Sequence, residues 1–381
     1  MFCLTDVQAG RREIWAARSA FFESGFAMAT WASMIPFLKS HLGIGADVLG
    51  MLILCIGLAA CSAMPLSGIF LRYTGCRKAI SLATVLLMGI LAAVPHLSSA
   101  ASAAAALLAM GAALGLLDVG MNLNAVVIER ASGKILMPQM HGFYSIGAFV
   151  GAGGFAALAG SGLPPEAAAG IHAGVMALLA ICFYPYLLPF RGEGKKKKWT
   201  RPRGLVLLLG GMACLGFLSD GAVMDWGGVL LHEGKGVDVA LSSLGFTVFS
   251  LMQLAGRLCG GLLIRSLGER TVVWGGTVLT AGCFTGIVLC EEIYGLLFFF
   301  ALAGLCLSNV IPSFYTWIGK QNETPLAEAV TAVTFMGYSG LILGPSVLGF
   351  LASSAGISAV FELCALLLMG LSGAVWYVLR R

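Results

Sequence analysis

The chain is short of charge. Only 11% of its 381 residues are Asp, Glu, Lys or Arg, against about 25% in an ordinary soluble domain. Its eleven cysteines form no CxxC pair and no metal-ligand spacing, so neither a metal site nor a redox pair is legible, and no metal is expected. No nucleophile–base pair and no phosphate-binding glycine loop stands out either. Enzyme chemistry therefore has no foothold, and no cofactor is expected. What fills the chain is apolar: 59% hydrophobic residues and a mean hydropathy of +0.92. A water-soluble fold could not cover that much apolar surface. The net charge of +5 does not point to nucleic acid, because nearly all charges fall between apolar runs. Cys55, Cys61, Cys182, Cys214, Cys306 and Cys364 sit inside those runs and read as small packing residues.

A membrane span needs about 20 mostly apolar residues. Twelve candidates follow one another, at 13–38, 47–71, 78–97, 101–129, 138–161, 166–190, 204–231, 239–265, 271–290, 293–319, 326–353 and 357–379. The first follows Arg11 and Arg12 like a signal peptide, but it carries Glu23 and lacks a small-residue cleavage site. It reads as a retained span. The longest polar stretch, Arg191 to Arg203, holds Lys195, Lys196, Lys197, Lys198 and Arg201. Beside a span, such a run reads as a cytoplasmic topology anchor, with binding of anionic lipid as the less favoured alternative.

Charge tests this arrangement. With both termini inside, Arg11, Arg12, Arg72, Arg77, Lys78, Arg130, Lys134, the basic residues from Arg191 to Arg203, Arg265, Arg270, Lys320, Arg380 and Arg381 are cytoplasmic. That is 19 of the 23 Lys and Arg residues. Lys39 and Lys235 fall outside, and Arg18 and Arg257 fall within spans. One missed span would scramble the asymmetry, so it supports span count and orientation together.

The two halves echo each other. Gly68 to Arg77 (GIFLRYTGCR) follows the second span and Gly261 to Arg270 (GLLIRSLGER) follows the eighth. Both fit Gly-x-φ-φ-Arg-x-x-Gly-x-Arg, where φ is apolar, at a separation of 193 residues (261 − 68). Phe21, Ser24, Gly25 and Met28 recur in spacing as Phe217, Asp220, Gly221 and Met224. Gly147 and Gly344 fall at corresponding places in the fifth and eleventh spans. The expected organisation is an N-terminal six-helix bundle over 1–190, a basic linker over 191–203 and a C-terminal six-helix bundle over 204–381.

With these motifs the chain resembles the major facilitator superfamily over essentially its whole length. The two loops look like that family's signature Gly-x-Leu-x-Asp-Arg-x-Gly-Arg-Arg and its weaker second copy, with Arg72 and Arg265 standing at the acidic position. Asp118-Val119-Gly120-Met121-Asn122, then Glu129-Arg130 and Met140-His141, resemble uncharacterised bacterial permeases of the fucose-permease type. The resemblance implies an all-α membrane fold of twelve helices in two pseudo-symmetric bundles, with a central cavity lined by spans one, four, seven and ten. It also implies alternating access and polar, sugar-like solutes moved with protons. The antiporter motif Gly-x-x-x-Gly-Pro is absent from the fifth span, where Ala152 replaces its Pro. A similar Gly340-x-x-x-Gly344-Pro345 lies in the eleventh.

Polar residues inside spans are expensive and functional by default. Glu23 is mid-span, with Thr30 seven residues on along the same face. Asp118 and Asn122 share a face of the fourth span. Asp220 lies near the middle of the seventh, and Asp225-Trp226 nearer its outer end. Five α-helical residues turn the chain by about 140°, so the two aspartates should not converge. The tenth span has Ser308-Asn309 before Pro312, which should free a backbone carbonyl. Spans three, six and nine look nearly free of polar residues, as lipid-facing supports.

A carboxylate held at membrane depth can take up and release a proton. Glu23 and Asp118 are thus the candidates for coupling or for binding solute hydroxyls, with a structural interhelical pair, for instance to Arg18, as the plain alternative for both. Asp220, Asn122 and Asn309 suit a polar ligand, although asparagine is also interhelical glue. Trp31 and Trp226 could stack on a sugar ring or sit in an interfacial belt. Arg72, Arg77, Arg257, Arg265 and His141 are read as gating or structural groups. The expectation is a monomeric, multi-pass transporter of the bacterial inner membrane whose partners are a small solute, protons and the bilayer. Efflux of amphipathic compounds and a non-transporting sensor or scaffold remain as alternatives.

Overall fold

The computed structural model describes residues 9–191, 202–238 and 241–380. Lys195 to Lys198, Arg201 and Arg381 lie outside the described residues. Every regular element among the described residues is helical: α1 (Arg11–Leu42), α2 (Ala46–Ala93), α3 (Ala100–Ser132), α4 (Met137–Gly160), α5 (Pro165–Phe183), α6 (Gly204–Gly221), α7 (Gly227–Val229), α8 (Leu244–Leu267), α9 (Gly276–Leu289), α10 (Ile293–Leu307), α11 (Val310–Lys320), α12 (Leu326–Ala355) and α13 (Ile357–Arg380). Among the described residues, ten stretches are long and apolar enough to cross a membrane. One of them, Val48–His96, bends at Gly75 and so carries the second and third spans. α1 is 32 residues long and carries Arg18 and Glu23 in its first half; counted with the others, it agrees with the expected twelve.

Three features differ from the sequence reading. The eighth helix starts at Leu244 rather than near 239. The seventh span is not a continuous α-helix: Ala222–Trp226 and Leu230–Gly234 are π-helical, on either side of α7. Such wide turns recur at functional sites, and the Gly-rich stretch over 221–234 gives no periodicity from which to read them. The tenth span is broken between α10 and α11 at Ser308-Asn309. Pro312 lacks the N–H that would reach the Ser308 carbonyl four residues back, which accounts for the break.

The chain divides into two compact units. Unit 1 holds Met1–Lys134, Phe143–Arg201 and Gly319–Thr331; unit 2 holds Ile135–Gly142, Pro202–Ile318 and Ala332–Arg381. Each unit thus takes in one short segment from the other half of the sequence. The repeated loops show how. A Cβ at Gly68 would lie 2.6 Å from Thr331 Oγ1 within unit 1, and one at Gly261 would lie 3.2 Å from the Ile135 carbonyl oxygen within unit 2. The first glycine of each motif makes room for the incoming segment. The second glycine turns the chain: Gly75 has φ 80° and Gly268 has φ 83°, a backbone region that side-chain-bearing residues rarely enter.

Helix packing repeats at the same spacing. A Cβ at Gly111 of α3 would lie 2.2 Å from the Ile56 carbonyl oxygen, and one at Gly304 of α10 would lie 2.1 Å from that of Phe249. Both residue shifts, 304 − 111 and 249 − 56, equal the 193 of the loops. A Cβ at Gly147 would fall on the Phe22 carbonyl oxygen, and its counterpart is Gly340, where a Cβ would fall on that of Cys214. Gly344, the match expected from sequence, lies one turn further along and faces only the Leu218 side chain at 3.5 Å. Small residues that let backbones touch are the usual substitute for a hydrophobic driving force inside lipid.

Candidate functional site

In unit 1 the Glu23 side chain is buried, 4% exposed. Both its oxygens accept hydrogen bonds, one from the Ser19 hydroxyl at 3.0 Å and the other from the Thr84 hydroxyl at 3.1 Å. Ser19 is one helical turn earlier; Thr84 comes from the third span. A narrow crevice lined by Ser19, Glu23, Ser81, Thr84 and Tyr184 leaves room for about one water molecule beside the carboxylate. Arg18, the alternative partner, lies instead over the rings of Trp15 and Phe143, at 4.7 and 5.3 Å.

Thr30 shares the Glu23 face and finds a partner that the sequence reading missed. Its hydroxyl donates to the Phe26 carbonyl at 2.7 Å and lies 2.8 Å from Nδ1 of His172 in α5. One hydroxyl has one proton, so Nδ1 must be the donor in that second contact. The imidazole is buried at 4.6 Å from the Phe26 ring and edge-on to Phe155 at 5.8 Å. The third and sixth spans therefore supply Thr84 and His172 to polar contacts, contrary to their reading as plain supports. The available signal was His172 itself, a lone histidine in an apolar run.

Asp118, Asn122 and Asn124 are buried on α3. The Asn122 amide donates to the Asp118 backbone carbonyl at 2.9 Å. Its oxygen, and both amide atoms of Asn124, have no hydrogen-bond partner among the described residues. Leaving such a group dry and unpaired costs about 1–3 kcal/mol. Asn124 was not singled out from sequence because it lies off the Asp118 face. Trp31 is 1% exposed and is a core ring of unit 1.

The basic loop residues separate into different roles. Arg72 forms an ion pair with Glu328, which enters unit 1 at the start of α12. Arg77 donates from Nε to the Leu187 carbonyl at 2.6 Å and from its Nη2 to that of Pro185 at 2.8 Å. It caps the end of the sixth span. Arg265, the repeat of Arg72, is exposed at the end of α8.

In unit 2 Asp220 accepts from the Gln253 amide at 2.9 Å. Its other oxygen lies 4.0 Å from an Nη of Arg257. Gln253 and Arg257 are one turn apart on α8. Asp225 is exposed and lies in the π-helical segment Ala222–Trp226, so the α-helical angle used to separate it from Asp220 does not apply there. The Trp226 ring lies against Gly349. The Asn309 amide donates to the Gly256 carbonyl at 3.0 Å and to the Ser308 hydroxyl at 2.8 Å, which ties the break in the tenth span to α8. His141 packs on Tyr315, ring centroids 5.7 Å apart, and the Tyr315 hydroxyl lies 3.0 Å from that of Thr334. No cluster of three or more His, Cys, Asp or Glu residues able to hold a metal occurs among the described residues.

Residues 208–381 match the family model of the Major Facilitator Superfamily. The chain is 36% identical to an uncharacterised MFS-type transporter of Yersinia pestis over 380 residues, 98% of each protein. It is 27% identical to the membrane protein MosC of Rhizobium meliloti, covering 90% of this chain and 84% of that one. Among solved structures, the fucose:proton symporter of E. coli superposes with a TM-score of 0.78 at 14% identity, over 96% and 98% of the two chains. A human organic anion transporter superposes with a TM-score of 0.73 at 15% identity, over 96% and 99%. At those identities the likeness concerns the fold alone. Taken with the all-helical fold of many apolar spans and a duplicated loop motif, the match to the Yersinia relative over 98% of each chain establishes that this chain is a multi-pass membrane transporter belonging to the major facilitator superfamily.

Proposed function

We propose that the protein is a secondary transporter that moves a small, polar, sugar-like solute together with protons by alternating access. The observation that carries this reading is the setting of Glu23. A carboxylate at membrane depth, held by two hydroxyls and beside space for one water, can gain and lose a proton without a large rearrangement of its neighbours. Asp118 is the second candidate for coupling. The unpartnered amide atoms of Asn122 and Asn124 in unit 1 are groups that a hydroxylated solute could satisfy. The E. coli protein of similar fold is described as a fucose:proton symporter, which agrees in chemistry. The count of basic residues supports cytoplasmic termini, and the proposed setting is a bacterial inner membrane.

Reconstituted vesicles with an imposed inward proton gradient test the proposal. A panel of labelled sugars and related polyols is offered while the internal pH is followed. Accumulation of at least one solute, with acidification of the lumen and collapse by a protonophore, is expected. Uptake that ignores the gradient rules out coupling.

A further inference from the structure

Arg257 lies at the centre of α8, 13 residues from its first residue and 10 from its last. At about 1.5 Å per residue its Cα is roughly 15–20 Å from either helix end. That is further than an arginine side chain reaches, so the guanidinium does not escape to either membrane surface. A cation at that depth requires partners, and Asp220 is one of those of Arg257. The pair is not tightly closed. The separation is 4.0 Å, whereas a charge-assisted hydrogen bond closes to about 2.7–2.9 Å, and arginine prefers to bind carboxylates with two parallel bonds. Asp220 is held firmly by something else: its other oxygen takes a 2.9 Å bond from Gln253. Both charged side chains keep some exposure, 12% for Arg257 and 18% for Asp220. A purely structural pair would gain most by closing, since desolvation without good geometry is a net cost.

We infer that Arg257 and Asp220 form a subsite for the carboxylate of an acidic polar solute. The class is a small hydroxylated carboxylic acid. This inference rests on the proposed proton-coupled transport and specifies its substrate class. The fork of the guanidinium takes the solute carboxylate in the two-bond geometry that Asp220 does not adopt. Asp220 gives up its place, keeps its bond from Gln253 and takes one proton from solution. The solute brings one negative charge and the proton one positive charge, so the buried charge of the site is the same before and after loading. Of the other titratable groups, His141 lies within the electrostatic reach of Arg257, and its ring is already packed on Tyr315. The polar residues at the break between α10 and α11, Ser308 and Asn309, face α8 as hydrogen-bonding groups suited to hydroxyls rather than to charge.

Thermal stabilisation of the purified protein provides the test, with matched probes: gluconate against glucose, glucuronate against glucose, glycerate against glycerol and lactate against propane-1,2-diol. Stabilisation by at least one carboxylate, without stabilisation by its neutral match, is expected. Arg257→Gln should weaken that binding about tenfold or more, and Arg257→Lys should recover only part of it, because an ammonium offers charge without the fork. Asp220→Asn keeps an acceptor for Gln253 and removes the competing charge. It should bind the same carboxylate at least as tightly, and without the proton uptake that accompanies binding in the parent protein. Equal stabilisation by acid and neutral partners, no stabilisation by any acid, or carboxylate binding unchanged in Arg257→Gln would each overturn the inference. If Arg257→Gln does not fold, Asp220→Asn decides alone: binding weaker than the parent overturns it. A neutral sugar accumulated with protons would leave the proposed function standing and defeat this inference; carboxylate binding with no proton movement would do the reverse.

Discussion

The Thr84 hydroxyl donates to the Glu23 carboxylate at 3.1 Å, tying the third span to the first through an acid at membrane depth. Glu23→Gln keeps the shape and one acceptor oxygen but cannot exchange a proton. It should leave the protein folded and able to exchange labelled for unlabelled solute across the membrane, while accumulation driven by a proton gradient is lost. Counterflow and gradient-driven uptake in the same vesicles separate the two activities. Full accumulation in this variant would remove Glu23 from the coupling. Thr84→Val should instead act on stability, by about 1.5–3 kcal/mol, the usual worth of a hydrogen bond to a charged group.

The same residue shows what could be read from sequence. Cost alone picked out Glu23, because few residues of that kind survive within a span. Helical spacing correctly placed Glu23 and Thr30 on one face. A helical wheel does not say which neighbour that face meets. In the structure it meets Thr84 of the third span and His172 of the sixth, which the apolar character of those spans hid. Asp220 likewise was visible, but its partners Gln253 and Arg257 follow from the placement of α8 beside the seventh span, and no local pattern carries that. The two glycine motifs were legible as a repeat. Their reasons, a positive φ at Gly75 and Gly268 and close approaches at Gly68 and Gly261, required coordinates.

The repeat itself can be tested by matched substitutions. Gly111→Ala and Gly304→Ala each push a methyl into a carbonyl oxygen of the neighbouring helix, that of Ile56 or Phe249, at just over 2 Å. Backbone cannot swing aside as a flexible side chain can. Each variant should lose about 1–3 kcal/mol, the range for overpacking. Gly282→Ala, where a Cβ meets open space, is the control and should be neutral or slightly stabilising because alanine favours the helix. Thermal unfolding in detergent reads all three. Equal behaviour of the three would show that the close contacts do not govern stability.

Arg72 occupies a position where the superfamily loop has an acid, and it pairs with Glu328, whose side chain is 5% exposed. Reversal of both charges should therefore be tolerated better than reversal of either one. Breaking a buried pair from one side costs about 3–5 kcal/mol, and partial exposure of Arg72, 19%, places this pair toward the lower end. A double-mutant cycle of Arg72→Glu and Glu328→Arg, read by unfolding temperature, should give a coupling of at least about 1 kcal/mol. Additive losses would show that the ion pair contributes nothing. Arg265→Gln at the repeat position should stay within about 0.5 kcal/mol of the parent, as a surface change.

Arg77 makes a different kind of contact from Arg72, although both belong to one loop motif. Its Nε and an Nη reach two separate carbonyls, Leu187 and Pro185, at 2.6 and 2.8 Å. The backbone adds two further ties, from the Cys76 N–H to the Phe190 carbonyl at 2.8 Å and from the Arg77 N–H to that of Leu188 at 3.1 Å. The end of the sixth span therefore depends on the loop for carbonyl partners that its own helix no longer provides. Lysine at this position keeps the charge but offers a single point of contact, so Arg77→Lys should recover one of the two side-chain bonds. Arg77→Ala should cost about 1–3 kcal/mol and Arg77→Lys about half as much. Limited proteolysis between the sixth and seventh spans reads the local effect directly. Faster cleavage is expected in the order parent, Lys, Ala. Identical cleavage in all three would mean that the backbone ties alone hold the segment.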